Sequence, residues 1–229
     1  MKGTQPFGPL QLLTRKPVLI PRPETEQWSL NIANLLSPTV HNPINLLDLC
    51  TGSGCIPILL SHLWPPGSVR AYGIDISHQA IQLAQDNAKL CHIPPHVFIP
   101  IQADIRRHIP VIQGPFDLIT SNPPYISTSE YNSLPSSVKD YEDPRALIGG
   151  DPDGLFFYHL IARLLSTNGI LSDHSLVVLE VGHQQAEAVQ HILRTNAGLY
   201  HSTIWKDYWG KNRTVLASRR PYSLNLKLL

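Results

Sequence analysis

The sequence predicts an α/β domain built on a mostly parallel sheet. Three observations lead there. Short apolar runs alternate with amphipathic stretches of helical period. The run Ile44 to Leu49 leads straight into a Gly-rich turn, Cys50-Thr51-Gly52-Ser53-Gly54, and then into a helical segment. That is the strand, turn and helix unit of nucleotide-cofactor sites. A later run, Phe116 to Ser121, stops at Asn122-Pro123-Pro124-Tyr125. Two prolines can neither extend a strand nor comfortably start a helix, so the chain stops at the sheet's carboxyl edge.

Composition sets the bounds. With 229 residues the chain suits one α/β domain, or a domain plus an appendage. It is 42% hydrophobic and 15% charged, with a net charge of +1. A charge so near zero gives no electrostatic case for gripping a nucleic-acid duplex. Three cysteines, Cys50, Cys55 and Cys91, lack CxxC spacing. They argue for a reducing compartment and against a zinc site or disulfide framework, so no metal is expected. The sequence has no apolar run of transmembrane length and no leader-like start, so no membrane association is expected.

Taken in order, Phe7 to Leu13 and Val18 to Ile20 are expected to pair as a small hairpin across Arg15-Lys16-Pro17. Residues 1–22 form this hairpin and linker, and residues 23–229 the main domain. Pro23, Glu24 and Glu26 open a helix running to about Leu36, since acids favour a helix N-terminus. Arg22 and Glu24 read equally as a capped helix start or as pocket lining. After strand 44–49, a helix is expected from Cys55 to Leu63. Pro57 is tolerable there because it falls in the first turn. Pro57 also rules out the dinucleotide fingerprint, and the Walker lysine is missing. Strand Val69 to Ile74 ends at Asp75, and Ser77 caps a helix reaching about Cys91. A strand at Val97 to Gln102 precedes Ala103-Asp104-Ile105. Residues 126–153 read as a long polar loop of functional length. Helices at 155–166 and 184–195 flank a buried strand, Leu176 to Val181. The tail, 200–206 and 214–217, reads as an antiparallel edge joined by a Gly210-Lys211-Asn212 turn.

Two sites carry chemistry. In the Gly-rich turn, glycines let backbone N–H groups approach a ligand closely. Asp75, at a strand end after that turn, is placed to accept hydrogen bonds from both ribose hydroxyls. Asp104 is placed to reach an adenine amino group, or simply to cap a turn. The Asn122–Tyr125 corner is stiff and rich in acceptors, because each residue before a proline is held extended and neither proline offers an N–H. It offers two backbone carbonyls, the Asn122 amide and an aromatic face. Such a corner suits a planar group bearing an NH2, whose hydrogens it accepts and whose developing charge it stabilises.

Together these residues resemble the class I methyltransferases that use S-adenosyl-L-methionine (SAM). The likeness is greatest to the HemK/PrmC group, which methylates the side-chain nitrogen of the glutamine in the Gly-Gly-Gln loop of class I peptide chain release factors. Pro21 to Glu26, Asp48 to Gly54, Asn122 to Tyr125, Gly149 to Leu155, Glu180 to His183 and Lys206 to Tyr208 stand in the group's order. The resemblance implies a Rossmann-like, seven-stranded, mostly parallel sheet with helices on both faces. It implies SAM over Cys50, Thr51, Gly52, Ser53 and Gly54, its ribose on Asp75, its adenine beside Asp104 and Ile105, and Asn122 touching both substrates. The glutamine would lie among Asn122, Pro123, Pro124 and Tyr125, and the reaction would be an in-line displacement at the SAM methyl. A monomer is expected, with a release factor as its protein partner and no nucleic acid.

The chain departs from the group at four places. Cys50 stands where glycine is usual, a less permissive backbone position. Ile105 replaces an aromatic, and Glu142-Asp143-Pro144 shifts a Glu-Pro pair by one. The group's N-terminal helical domain, which helps grip the release factor, is expected to be lacking. Residue usage points to a mitochondrial member, or otherwise a cytoplasmic one. Three other readings stay open: glutamine methylation of a ribosomal protein, adenine-N6 methylation of nucleic acid, and a degenerate subunit that needs a partner.

Overall fold

The computed structural model describes residues 3–107, 114–150 and 152–221. Asp151 and residues 222–229, the end of the expected main domain, lie outside the described residues. The central sheet holds β3 (Ile44–Leu49), β4 (Val69–Asp75), β5 (Phe98–Gln102), β6 (Phe116–Ser121), β7 (Leu171–Glu180), β8 (His201–Lys206) and β9 (Asn212–Ser218). Their order is β5-β4-β3-β6-β7-β9-β8. The first five pair in parallel, and β9 runs antiparallel to both β7 and β8. The expected seven-stranded, mostly parallel sheet with an antiparallel edge is therefore present.

Both faces of this sheet are covered, which explains why its central strands send apolar side chains to both sides. Successive side chains leave a strand on opposite faces. Leu46, Leu118, Leu176 and Leu216 accordingly enter one core with α1 (Pro23–Leu35), α2 (Cys55–Leu63) and α3 (His78–Leu90). Their neighbours Leu47, Ile119, Val177 and Val215 enter the other. That second core packs on α6 (Phe156–Leu165) and α7 (Ala186–Ala197). Fully burying one such side chain is worth about 1.5–3 kcal/mol, and the two cores together fix where the strand ends fall.

Four expectations are corrected. The N-terminal hairpin pairs β1 (Thr4–Phe7) with β2 (Leu10–Leu13), in register Phe7↔Leu10. Its turn is Gly8-Pro9, where Gly8 has φ 57°, so a glycine-led two-residue turn wins over the proline at 17. Val18 instead packs on Ala80 and Leu83, while Phe7 and Leu12 join the first core. The long loop is not structureless. It contains α4 (Thr128–Asn132), with a Ser127–Glu130 capping box, α5 (Ser136–Lys139) and a 3-10 turn at Pro144–Ala146. Strand β7 starts five residues earlier than its apolar run, because exposed Asp173 and His174 hide its first half from a hydrophobicity reading. Finally, Asn212 belongs to β9. The connecting turn spans 207–211 and is pinned by Asp207, whose carboxylate accepts the Trp209 and Lys211 N–H groups.

Candidate active site

Strands β4, β3 and β6 are neighbours, and their carboxyl ends lie side by side. The chain winds outward from β3 through β4 to β5, then returns to β6 on the other side. In open α/β sheets, ligands bind at such a switch point. A cavity of about 540 Å³ opens there, a size typical of small-molecule sites. It is lined by Cys50, Gly52, Asp75, Asp104, Ile105 and Asn122, among others. The structure thus brings most of the expected residues to one place. Thr51, Ser53 and Gly54 hold the turn from beneath, with Thr51 and Ser53 buried.

The turn needs left-handed backbone at three positions: Cys50 with φ 57°, Gly52 with φ 55° and Gly54 with φ 76°. Glycine adopts this freely. Cys50 carries a steric cost of about 1–2 kcal/mol, the physical content of its departure from glycine. Below the turn, Asp48 is fully buried and accepts from Thr120 Oγ1 at 2.7 Å. Its Oδ2 has no partner among the described residues. Burial pushes its pKa up to about 7.

Asp75 serves the turn as well as any ligand. Its Oδ2 accepts the Gly52 N–H and its Oδ1 the Ser77 N–H, each at 2.9 Å. Each carboxylate oxygen keeps a further lone pair. Burial raises its pKa, and the two N–H groups oppose that rise. Ser77 caps α3 by accepting the Ala80 N–H, as its position predicts. Asp104 is differently occupied. Arg106 spans both its oxygens, with Nη2 at 2.8 Å, and its own backbone N–H bonds to Oδ1. The turn-capping role is therefore filled, and an adenine amino group would share that carboxylate with a guanidinium.

The corner at the end of β6 is built from distant parts of the chain. Asn122 and Tyr125 are half-buried, and Pro123 and Pro124 are buried. Asn122 Nδ2 donates to Thr25 Oγ1 at 3.1 Å, and Thr25 Oγ1 donates to Glu180 Oε2 at 2.6 Å. Trp28 Nε1 donates to the same oxygen at 2.9 Å, and Tyr125 OH donates to Oε1 at 3.4 Å. Among the described residues no donor reaches Asn122 Oδ1 or the Pro123 carbonyl. Burial and then the Glu180 charge push the Tyr125 phenol well above its ordinary pKa, so it stays neutral.

Two clamps hold the loop over the corner. Gln185 Nε2 donates to the Tyr125 and Asp153 carbonyls, and its Oε1 accepts the Gly182 N–H. Gly154, with φ 71°, passes so close that a Cβ would run into the Tyr125 carbonyl. On the other side Glu142 accepts Arg22 Nη2 at 2.6 Å and the Ile20 N–H. Asp143 N–H donates to the Pro17 carbonyl. Arg22 is the α1 N-cap residue without a side-chain cap, so its side chain staples the loop instead. Residue order alone gives no role to Thr25, Trp28, Glu180 or Gln185, nor to Arg213, which bonds Asp207 and the Val181 carbonyl beside Glu180. One signal was available: Glu180 is a carboxylate closing the apolar run Leu176 to Leu179.

Comparison with known proteins agrees with this geometry. Residues 41–217 match a family described as a methyltransferase domain. The release factor glutamine methyltransferase of Moorella thermoacetica is 33% identical over 96% of this chain and 74% of its own length. That of Thermodesulfovibrio yellowstonii is 35% identical over 93% of this chain and 73% of its own length. Among solved structures, a methyltransferase from Pyrococcus furiosus superposes with a TM-score of 0.64 at 14% identity, covering 93% of this chain and 91% of its own. The hMettl16 catalytic domain does so at 0.68 and 14%, covering 94% and 77%. These two show the fold alone.

A methyltransferase domain implies SAM, and the donor set here fits it. The Gly-rich turn, the Asp75 carboxylate and the apolar wall of Ile76, Ala80 and Ile105 offer what an amino acid, a ribose and an adenine need. With that cofactor, this fold and these relatives, the chain belongs to the release factor glutamine methyltransferase family.

Proposed function

We propose that this enzyme methylates the side-chain amide nitrogen, N5, of the glutamine in the Gly-Gly-Gln loop of a class I peptide chain release factor. The observation that carries the reading is the corner beside the cavity. It presents Asn122 Oδ1 and the Pro123 carbonyl as open acceptors while the Asn122 nitrogen is already engaged. When bound, SAM supplies an electrophilic methyl group. The chain's own residues do the rest. Cys50 to Gly54, Asp75, Ile105 and Asp104 hold the cofactor. Asn122 and Pro123 accept the two amide hydrogens and Tyr125 packs on the amide plane. An amide nitrogen is a poor nucleophile because its lone pair is delocalised. Fixed acceptors polarise it and fixed geometry removes the entropy of approach.

The same acceptors would suit another NH2 group, so the test offers three acceptors: a Gly-Gly-Gln release factor, ribosomal protein, and DNA or RNA. Mass spectrometry should place one methyl group on the release factor's glutamine. Methyl transfer to adenine or to a ribosomal protein instead would overturn the reading. We also propose a monomer in a mitochondrial compartment. The relatives compared are bacterial, so the compartment rests on residue usage alone. Sedimentation and microscopy of a tagged chain in its own cells would check these two points.

A further inference from the structure

We infer that Thr25, held by the buried Glu180 carboxylate, is a positioning residue that fixes which way the Asn122 amide points. This rests on the reading of Asn122 as an acceptor for the substrate amide. A threonine hydroxyl carries one hydrogen. The Thr25 Oγ1 to Glu180 Oε2 distance is 2.6 Å, and both oxygens of that carboxyl also receive donors, Trp28 Nε1 on Oε2 and Tyr125 OH on Oε1. The Thr25 hydrogen therefore goes to Glu180. Trp28 Nε1, 2.9 Å from the same oxygen, is a donor only, so it fixes Oε2 as the acceptor.

Thr25 Oγ1 is left with lone pairs alone, and whatever else it bonds must donate. Asn122 lies 3.1 Å away, and the only donor in its side chain is Nδ2. Its oxygen must then face the other way, on a residue that lines the cavity. A flipped amide would set oxygen against oxygen at Thr25 and present N–H groups to an incoming NH2, which offers no acceptor in return. An unmade buried hydrogen bond is costly, so the flip is suppressed.

The surroundings aim Glu180. Burial raises its pKa, the Thr25 and Trp28 donors and the Arg213 charge on β9 oppose that rise, the Glu24 charge adds to it, and the Tyr125 phenol bonds its other oxygen. Arg213 is itself held by Asp207 at 3.2 Å and bonds the Val181 carbonyl. Tyr158 OH donates to the Glu180 carbonyl at 2.9 Å and fixes the end of the strand. The arrangement joins α1, β6, β7 and β9, and it gives the Pro21–Glu26 stretch a chemical task. Pro23 starts α1 so that Thr25 and Trp28 point inward, both buried. It also bears on specificity. A corner that can only accept admits a group with two N–H donors and discriminates against hydroxyl and carboxylate acceptors.

The experiment compares Thr25→Val with Thr25→Ser. Valine keeps the shape and removes the hydroxyl, while serine keeps it. With a release factor as methyl acceptor, Thr25→Val should lose about tenfold or more in kcat, the scale of a misaligned polar group at a reacting centre. Its SAM affinity by calorimetry should be unchanged, and Thr25→Ser should stay within about threefold of the parent. Equal kcat for Thr25→Val and the parent would overturn the inference. A second measurement needs neither a methyl acceptor nor a folded valine variant. The side-chain NH2 resonances of Asn122, assigned by their loss in Asn122→Ala, should exchange slowly with solvent in the unmodified protein. Exchange at the free-amide rate would overturn the inference. A parent enzyme that leaves the release factor unmethylated would instead sink the substrate reading, and the NMR result would still decide this one.

Discussion

The two halves of the site are made in opposite ways. The cofactor half is a local construction. One strand, one turn and the next strand supply it, and its contacts are mostly backbone N–H groups on a carboxylate 23 residues away. The acceptor half joins residues 97, 155 and 152 positions apart through side chains alone. A backbone-built site tolerates changes of side chain, because main-chain donors remain whatever residue carries them. A site built as a chain of buried side-chain hydrogen bonds has no such redundancy, since one lost member leaves its neighbours unsatisfied.

The largest expected effect follows from that contrast. Asn122→Ala should lower methyl transfer by about a hundredfold or more, as removing one preorganised polar group from a reacting centre does. The variant should still fold and bind SAM, with a melting temperature a little below the parent's because Thr25 loses a hydrogen-bond partner. Near-normal turnover would show the corner to be structural and remove the difference between the halves.

Asp75→Ala should act the other way, lowering SAM affinity by about 1–3 kcal/mol through two lost hydrogen bonds to the ligand. Single-turnover chemistry at saturating SAM should change little. Calorimetry on a folded variant checks the first point. Unchanged affinity would take Asp75 out of the site and leave it only its bonds to Gly52 and Ser77.

Asp48 tests what lies beneath the turn. Burial raises its pKa from 3.8 to about 7. Between those values the folded chain holds a proton that the unfolded chain has released, so this group lowers stability as pH rises through the window. Asp48→Asn removes that slope. Its advantage over the parent should grow by about 2 kcal/mol between roughly pH 5 and pH 8. Thermal melts across that range would show it. A gap that shrinks with pH would mean the buried carboxylate is stabilised as an anion.

The smallest effect belongs to Cys50. Its φ of 57° is strained for any residue with a Cβ. Cys50→Gly should therefore stabilise the fold by about 1 kcal/mol, with SAM affinity unchanged or slightly improved. Denaturant titration reads this directly. A destabilised variant would mean that the packing of the half-buried thiol outweighs the backbone strain.

The elements that could be read from residue order are those whose cause is local. β3, α2 and β6 fall where the apolar runs, the Gly-rich turn and the Asn-Pro-Pro stop put them. Backbone conformation at Gly52, Gly54 and the two prolines is a property of the residues themselves, and so is the Ser77 cap. The switch-point location follows almost as directly, since strands with apolar residues on both faces must be covered on both sides and lie inside the sheet. Tertiary packing decided the rest. Gly8-Pro9 turned the hairpin, although Arg15-Lys16-Pro17 read as plausibly. The polar first half of β7 is strand because Phe116 pairs with Leu171. Arg22 became a staple to Glu142 because the long loop folds back over it. Asp104 met Arg106, a partner two residues away that the pattern of types does not single out. Above all, nothing in the order of residues says that Thr25, Asn122 and Glu180 meet. Each is an ordinary polar residue at a helix start or strand end. Their shared proton arrangement exists only because the sheet sets β6 beside β7 and lays α1 across their carboxyl ends.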